Sequence, residues 1–184
     1  MRKVTDDRRT RKTRTAIEKA FIELIQKNDI NKITIKDITD KADTNRSTFY
    51  THYEDIYDLL HVIEQKLIDG ISVFNNEDIL NKDAMDSMTQ SLQYILDNRS
   101  LFEAISTSSQ GADFLNRLSE VLGEKLFSLL GDVPDNEMLV CLYTNGAIAV
   151  IREWLLREDR TMNAGELCNF LAHTVSNGIK AKRQ

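Results

Sequence analysis

Nine consecutive residues, Asn45-Arg46-Ser47-Thr48-Phe49-Tyr50-Thr51-His52-Tyr53, set two aromatic side chains four apart within an otherwise polar, donor-rich run. On a helix, Phe49 and Tyr53 share one face. Arg46, Ser47, Tyr50 and Thr51 then fall on the outer side, and Thr48 with His52 forms another exposed row. Guanidinium, hydroxyl and imidazole groups donate hydrogen bonds to phosphate oxygens and base edges. Short side chains around a single Arg also let a helix backbone approach a groove closely. The chemistry on offer is recognition rather than turnover. No helix carries the paired Glu and Glu-x-x-His set of a di-iron bundle, and the chain has no Gly-rich phosphate loop or nucleophile elbow, so no enzyme is expected.

The elements that must position this run are legible around it. Thr34 opens a short helix with Asp37 three residues on, a capping-box arrangement. Ile35 and Ile38 point inward, and Ala42 admits a close neighbour. Asp43-Thr44 makes a turn, and Asn45 caps the donor-rich helix. Residues 34–53 therefore read as two helices joined by a tight turn. Before them, residues 8–28 form a long helix with Ile17, Ala20, Phe21, Leu24 and Ile25 as its apolar face. After them, Asp55 caps a fourth helix striped by Ile56, Leu59, Leu60, Ile63, Leu67 and Ile71. Asn75-Asn76 break the pattern. Further helices are expected near 82–97, 100–107, 112–130, 135–157 and 164–181, with a junction at Gly131, Asp132 and Pro134. Arg160 to Asn163 mark another, where Asn163 and Glu166 suggest a second capping box. A single proline, seven glycines and no alternating apolar pattern argue against strands. The expected fold is all-α, about nine helices, with a three-helix N-terminal unit followed by a helical bundle.

Charge is unevenly placed. Residues 1–53 hold 13 Lys and Arg against 8 Asp and Glu, while the remainder holds 11 against 21. The first fifteen residues alone carry seven basic side chains and two aspartates. A basic end on an acidic body suits contact with phosphates, because local rather than net charge meets them. Cys141 and Cys168 are far apart and make no zinc spacing, so both read as buried small hydrophobes in a reducing compartment. No metal and no cofactor is expected. The longest apolar run, 138–151, contains Thr144 and Asn145 and is too short to span a bilayer, and no apolar stretch follows the N-terminal charges. A soluble cytoplasmic protein is the expectation.

Residues 11–71 resemble the TetR family of bacterial transcriptional regulators. The resemblance rests on the Thr-capped second helix, Ala42, the run Ser47-Thr48-Phe49-Tyr50, the following Thr51-His52-Tyr53, and Asp58-Leu59-Leu60. It implies a basic arm at 1–10, a DNA-binding domain at 11–71 and a regulatory and dimerisation domain at 72–184. It also implies that Thr34, Thr48, Tyr50 and His52 hold phosphates and that Arg46, Ser47 and Lys36 approach base edges. Asn45 and Thr51 complete the DNA-facing set, and Arg11 and Arg14 add backbone or minor-groove contacts. Three positions depart from the family pattern. Asp43 and Thr44 stand where Gly and an aliphatic residue are common, and Ile56 stands where a phosphate-contacting Lys is frequent.

In the C-terminal half, Gly146, Ile148, Ile151 and Leu155, with Leu167, Leu171 and Val175 of the last helix, form an apolar seam. Two such helices from each of two copies would make a four-helix dimer interface, as the resemblance also implies; the alternative is packing within one chain. Tyr94, Phe102, Phe114, Phe127 and Tyr143 could line a ligand cavity, or equally fill a helical core. The region around Tyr143, Gly146, Ile151, Trp154 and Leu155 looks like the branch of the family that includes dihydroxyacetone-kinase operon regulators. The functional expectation is a dimeric regulator, a repressor, bound to an inverted-repeat DNA operator and answering to a small effector or a protein partner. The alternative is a helical ligand-binding or interaction protein whose helix-turn-helix no longer engages DNA.

Overall fold

A computed structural model describes residues 8–71, 82–130, 135–157 and 162–182. Among the described residues, all regular structure is helical: α1 (Arg8–Ile25), α2 (Ile35–Lys41), α3 (Arg46–Tyr50), α4 (Ile56–Ile71), α5 (Lys82–Asp97), α6 (Arg99–Ser106), α7 (Gly111–Leu130), α8 (Asn136–Leu156) and α9 (Ala164–Lys182). Residues 1–7 of the arm, the Asn75-Asn76 break, the Gly131–Pro134 junction and Arg160 lie outside the described residues.

The expected boundaries hold to within a few residues, and local chemistry explains where they move. Helix α1 stops at Ile25 because the Leu24 carbonyl accepts from both Lys27 and Asn28 amides and from the Asn28 side chain. A 3-10 turn at Ile30–Lys32, capped by Asp29, follows it and was not anticipated. Helix α3 ends at Tyr50, short of His52, because the Phe49 carbonyl takes the His52 and Tyr53 amides in a tight turn. Both expected capping boxes are present. Thr34 and Asp37 exchange bonds at the start of α2, and Asn163 and Glu166 do so at the start of α9.

The chain divides into two compact units, one of 1–66 with 100–111 and one of 67–99 with 112–184. The expected boundary after residue 71 therefore moves into α4, and α6 groups with the N-terminal unit. Asn31 supports that grouping: its Nδ2 donates to Ser109 Oγ at 3.2 Å. In the first unit, Ile17, Phe21, Ile38, Phe49 and Leu59 are fully buried. In the second, α5 packs on α9, and Phe114, Leu155, Leu167 and Cys168 are buried. Trp154 Nε1 donates to the Met162 carbonyl at 2.7 Å, tying α8 to a residue just before α9.

Helix α8 corrects one expectation. It extends through 21 residues and is long and apolar enough, by length and composition, to cross a membrane. Its Leu139, Thr144, Ile148, Ile151, Trp154 and Leu155 are nonetheless buried within the chain, while Arg152 and Glu153 are exposed. Cys141 corrects another: it is exposed, and only Cys168 is buried.

Asp43 adopts φ 50°, the left-handed conformation that Gly would adopt without strain. Asp tolerates it better than other residues, which is how the turn survives without Gly. Asp43→Val is expected to lower unfolding free energy by about 1–2 kcal/mol, whereas Asp43→Gly should leave it unchanged or raise it. Urea denaturation of the two variants measures both.

Candidate nucleic-acid interface

The candidate surface is built on α3, whose inner face is fixed by aromatic burial. Phe49 is completely buried and Tyr53 is 3% exposed, with ring centroids 5.6 Å apart. Tyr50, on the other side of the helix, meets the Phe49 edge at 5.7 Å and is 57% exposed. Five residues make too short a helix to persist alone, so its start must be held as well. Asn45 does this. Its Oδ1 accepts from the Thr48 amide at 2.8 Å, from the Thr48 hydroxyl at 2.9 Å and from the Ser47 hydroxyl at 2.6 Å.

That cap sorts the expected DNA-facing residues. Arg46, Ser47, Tyr50 and Thr51 are exposed, and Lys36 is exposed on α2. Thr48 and His52 are half-buried rather than an exposed row, because they flank the buried Phe49–Tyr53 face. The hydroxyl protons of Ser47 and Thr48 are engaged by Asn45, and that of Thr51 by the Thr48 carbonyl at 2.6 Å. Thr34 departs furthest from expectation: its hydroxyl and its amide both donate to Asp37 Oδ2, at 2.6 and 2.9 Å. The outward-facing donors are thus concentrated in Arg46, Tyr50 and Lys36. Arg8, Arg11 and Lys12 lie exposed along the first turns of α1.

Arg14 is differently placed, and it leads to a residue the sequence reading missed. Its Nε donates to Glu18 Oε1 at 3.1 Å. The Tyr53 hydroxyl donates to the same oxygen at 2.9 Å, and Lys66 of α4 donates to Oε2 at 2.5 Å. Burial pushes the Glu18 carboxyl up, but the donors Lys66, Tyr53 and Arg14 outweigh it and hold its pKa below the usual range. Burial and the Glu18 carboxylate together push the Tyr53 phenol up. The i,i+4 spacing of Arg14 and Glu18 was visible in the sequence; the partners on other elements were not.

The C-terminal candidates are dispersed. Phe102 and Phe114 are core residues, 2% and 0% exposed, and Phe127 is half exposed. Tyr94 lies against Gly70, where an added Cβ would come 2.3 Å from its ring. The Tyr143 hydroxyl occupies the space over Gly178, and Tyr143, like Val140 and Val175, packs against the buried cluster of Leu126 and Leu139. An open groove of about 530 Å³ between α7 and α8 includes only Phe127 of these five aromatics, beside Ser119, Gly123, Val140 and Thr144. The five aromatics therefore do not line one cavity: Phe127 faces the groove and the other four lie elsewhere. Of the expected dimer seam, Ile148, Ile151, Leu155 and Leu167 are buried within the chain, Leu171 and Val175 are half-buried, and Gly146 is exposed.

A TetR transcriptional regulator from Streptococcus agalactiae matches 95% of this chain and 99% of its own length, with a TM-score of 0.72 and 26% identity. Over nearly its whole length the chain is similar to TetR-type regulators. NalD, the secondary repressor of the MexAB-OprM multidrug efflux pump in Pseudomonas aeruginosa, shares the fold (TM-score 0.72, 16% identity, 92% of this chain and 96% of that one). So does the dihydroxyacetone kinase operon activator DhaS (TM-score 0.62, 18% identity, 92% and 97%). In sequence, the chain is 40% identical over 72 residues to the HTH-type transcriptional regulator YxbF of Bacillus subtilis, a match covering 36% of this chain. The chain spans about a fifth, 19%, of the length of that curated relative. No family model matches.

A depressed carboxylate pKa stabilises the fold above the unfolded pKa, and that contribution disappears as pH falls through the folded value. Glu18→Gln should therefore be less heat-stable than the parent at neutral pH, with the gap closing below about pH 4, near the unfolded Glu pKa. Thermal melts followed by circular dichroism across pH 3–7, roughly the carboxylate titration range, measure that convergence.

Proposed function

We propose that this protein is a sequence-specific DNA-binding transcriptional regulator that acts in the cytoplasm as a homodimer on an inverted-repeat operator. It works as a repressor by occupying promoter DNA, and a small effector or a protein partner relieves it. The observation that carries this reading is the two-sidedness of α3. Phe49 and Tyr53 anchor one face in the core, while Arg46 and Tyr50 stand exposed on the other; Lys36 and the basic start of α1 are exposed as well. The left-handed Asp43 supports a working turn, which weighs against a degenerate helix-turn-helix. Arg46 is the base-reading candidate, since Arg pairs bidentately with guanine O6 and N7. The α1 cations supply phosphate contacts and compensate for Ile56.

For dimerisation, the buried seam gives way to a stripe on the opposite face of α8. Met138, Leu142, Asn145, Ala149, Arg152 and Leu156 follow one another at steps of four and three, and all are exposed. Met138 is 75% exposed, Leu142 64% and Leu156 58%. Apolar residues at this spacing form the seam of paired helices. A two-fold dimer would offer two α3 helices to successive major grooves, about 34–36 Å apart.

Two measurements test the reading. Arg46→Ala should weaken operator binding by about 1–3 kcal/mol and relax preference at one base position per half-site, while affinity falls steeply with salt for both proteins. Equal and equally selective binding would remove Arg46 from recognition. Leu142→Glu should convert the dimer to monomer in sedimentation at micromolar concentration without loss of helicity; an unchanged dimer would place the interface elsewhere.

A further inference from the structure

Glu18 joins three elements of the N-terminal unit at one carboxylate. Arg14 approaches from the preceding turn of α1, Tyr53 from the segment just after α3, and Lys66 from α4. The Glu18 side chain is 13% exposed, whereas Arg14 and Lys66 are 50% and 51% exposed. The carboxylate is thus shielded, and its partners reach it from the surface. This arrangement differs in kind from the aromatic anchor beside it. Apolar burial holds Phe49 against the core but is non-directional, so it restrains the rotation of a five-residue helix only weakly. A hydrogen bond from a buried phenol to a fixed carboxylate is directional and charge-assisted. It pins the end of α3 relative to α1 and α4. The Arg14 guanidinium is oriented by the bond from its Nε to Glu18 Oε1 and by its interaction with the Tyr53 hydroxyl.

We propose that Glu18 is a positioning residue for DNA recognition: through Tyr53 and Lys66 it fixes the rotation of the recognition helix, and through Arg14 it orients a phosphate-directed cation, without touching DNA itself. This rests on the DNA-binding reading above. Recognition sites tolerate errors of only about 0.5 Å or 10–20°. Losing the pin should therefore cost selective binding more than non-selective binding. Losing the Glu18 charge has a second effect, because it removes a negative charge in contact with Arg14 and Lys66 and so strengthens attraction to any duplex.

The test uses the full chain. A preferred duplex is first selected from a random-sequence library. Affinities for it and for an unrelated duplex of equal length are then measured over a salt series for the parent, Tyr53→Phe and Glu18→Gln, with circular dichroism melts confirming that each is folded. Tyr53→Phe keeps the ring and removes only the hydroxyl. It should bind the preferred duplex about tenfold more weakly, with unrelated duplex affinity and salt slope unchanged, since a charge-assisted bond is worth about that factor. Glu18→Gln should bind the unrelated duplex about threefold more tightly, with a steeper salt slope, and lose selectivity as well. If both variants melt earlier while keeping the parental ratio of the two affinities, Glu18 only stabilises the fold and the proposal fails. If the parent itself prefers no duplex, DNA recognition fails, and the positioning role falls with it.

Discussion

Helix α3 spans five residues, too few to hold a helical conformation in water without outside support. The functional surface therefore depends on what fixes the far side of that helix. Three restraints converge there: Asn45 closes the first turn, Phe49 and Tyr53 sink into the core, and Glu18 fastens the Tyr53 hydroxyl. Because the inner face is held so completely, the outer face is free to be polar at no cost to the core. Arg46 and Tyr50 can then be exposed without unfolding the segment that carries them.

The same division of labour explains the departures from family pattern. Asp43 accepts a left-handed backbone that Gly would take without strain, so the turn is kept. The hydroxyls of Ser47, Thr48 and Thr34 serve the helix caps, which leaves the longer side chains that reach past the caps to carry the proposed recognition. Positive charge is supplied by α1 rather than by the start of α4, where Ile56 stands and where Asp55 caps the helix through the Tyr57 and Asp58 amides. Exposed ion pairs such as Lys41–Glu23, at 2.7 Å, add little to stability by comparison.

How much of this was legible depended on the range of the interaction. Caps are local in sequence, and Thr34–Asp37, Asn45 and Asn163–Glu166 were all read correctly. Periodicity placed Phe49 and Tyr53 on one face because the pattern around them is sharply amphipathic. Helix α8 has apolar residues on every side, so periodicity could not choose its buried face. The expected seam of Ile148, Ile151 and Leu155 proved to be core, and Met138, Leu142 and Leu156 are the exposed set. The aromatics Phe102 and Phe114 read the same whether they fill a core or line a cavity. Glu18 was missed because two of its three partners, Tyr53 and Lys66, lie 35 and 48 residues away, a separation that no local pattern encodes.

The account stands most directly on where the protein touches DNA. Guanine-N7 methylation interference and hydroxyl-radical footprinting on the selected duplex measure this together. The account predicts two protected patches related by two-fold symmetry, centred about one helical turn apart, with interference at a major-groove guanine in each. A single patch without symmetry, or protection with no major-groove interference, would contradict reading of the groove by paired α3 helices.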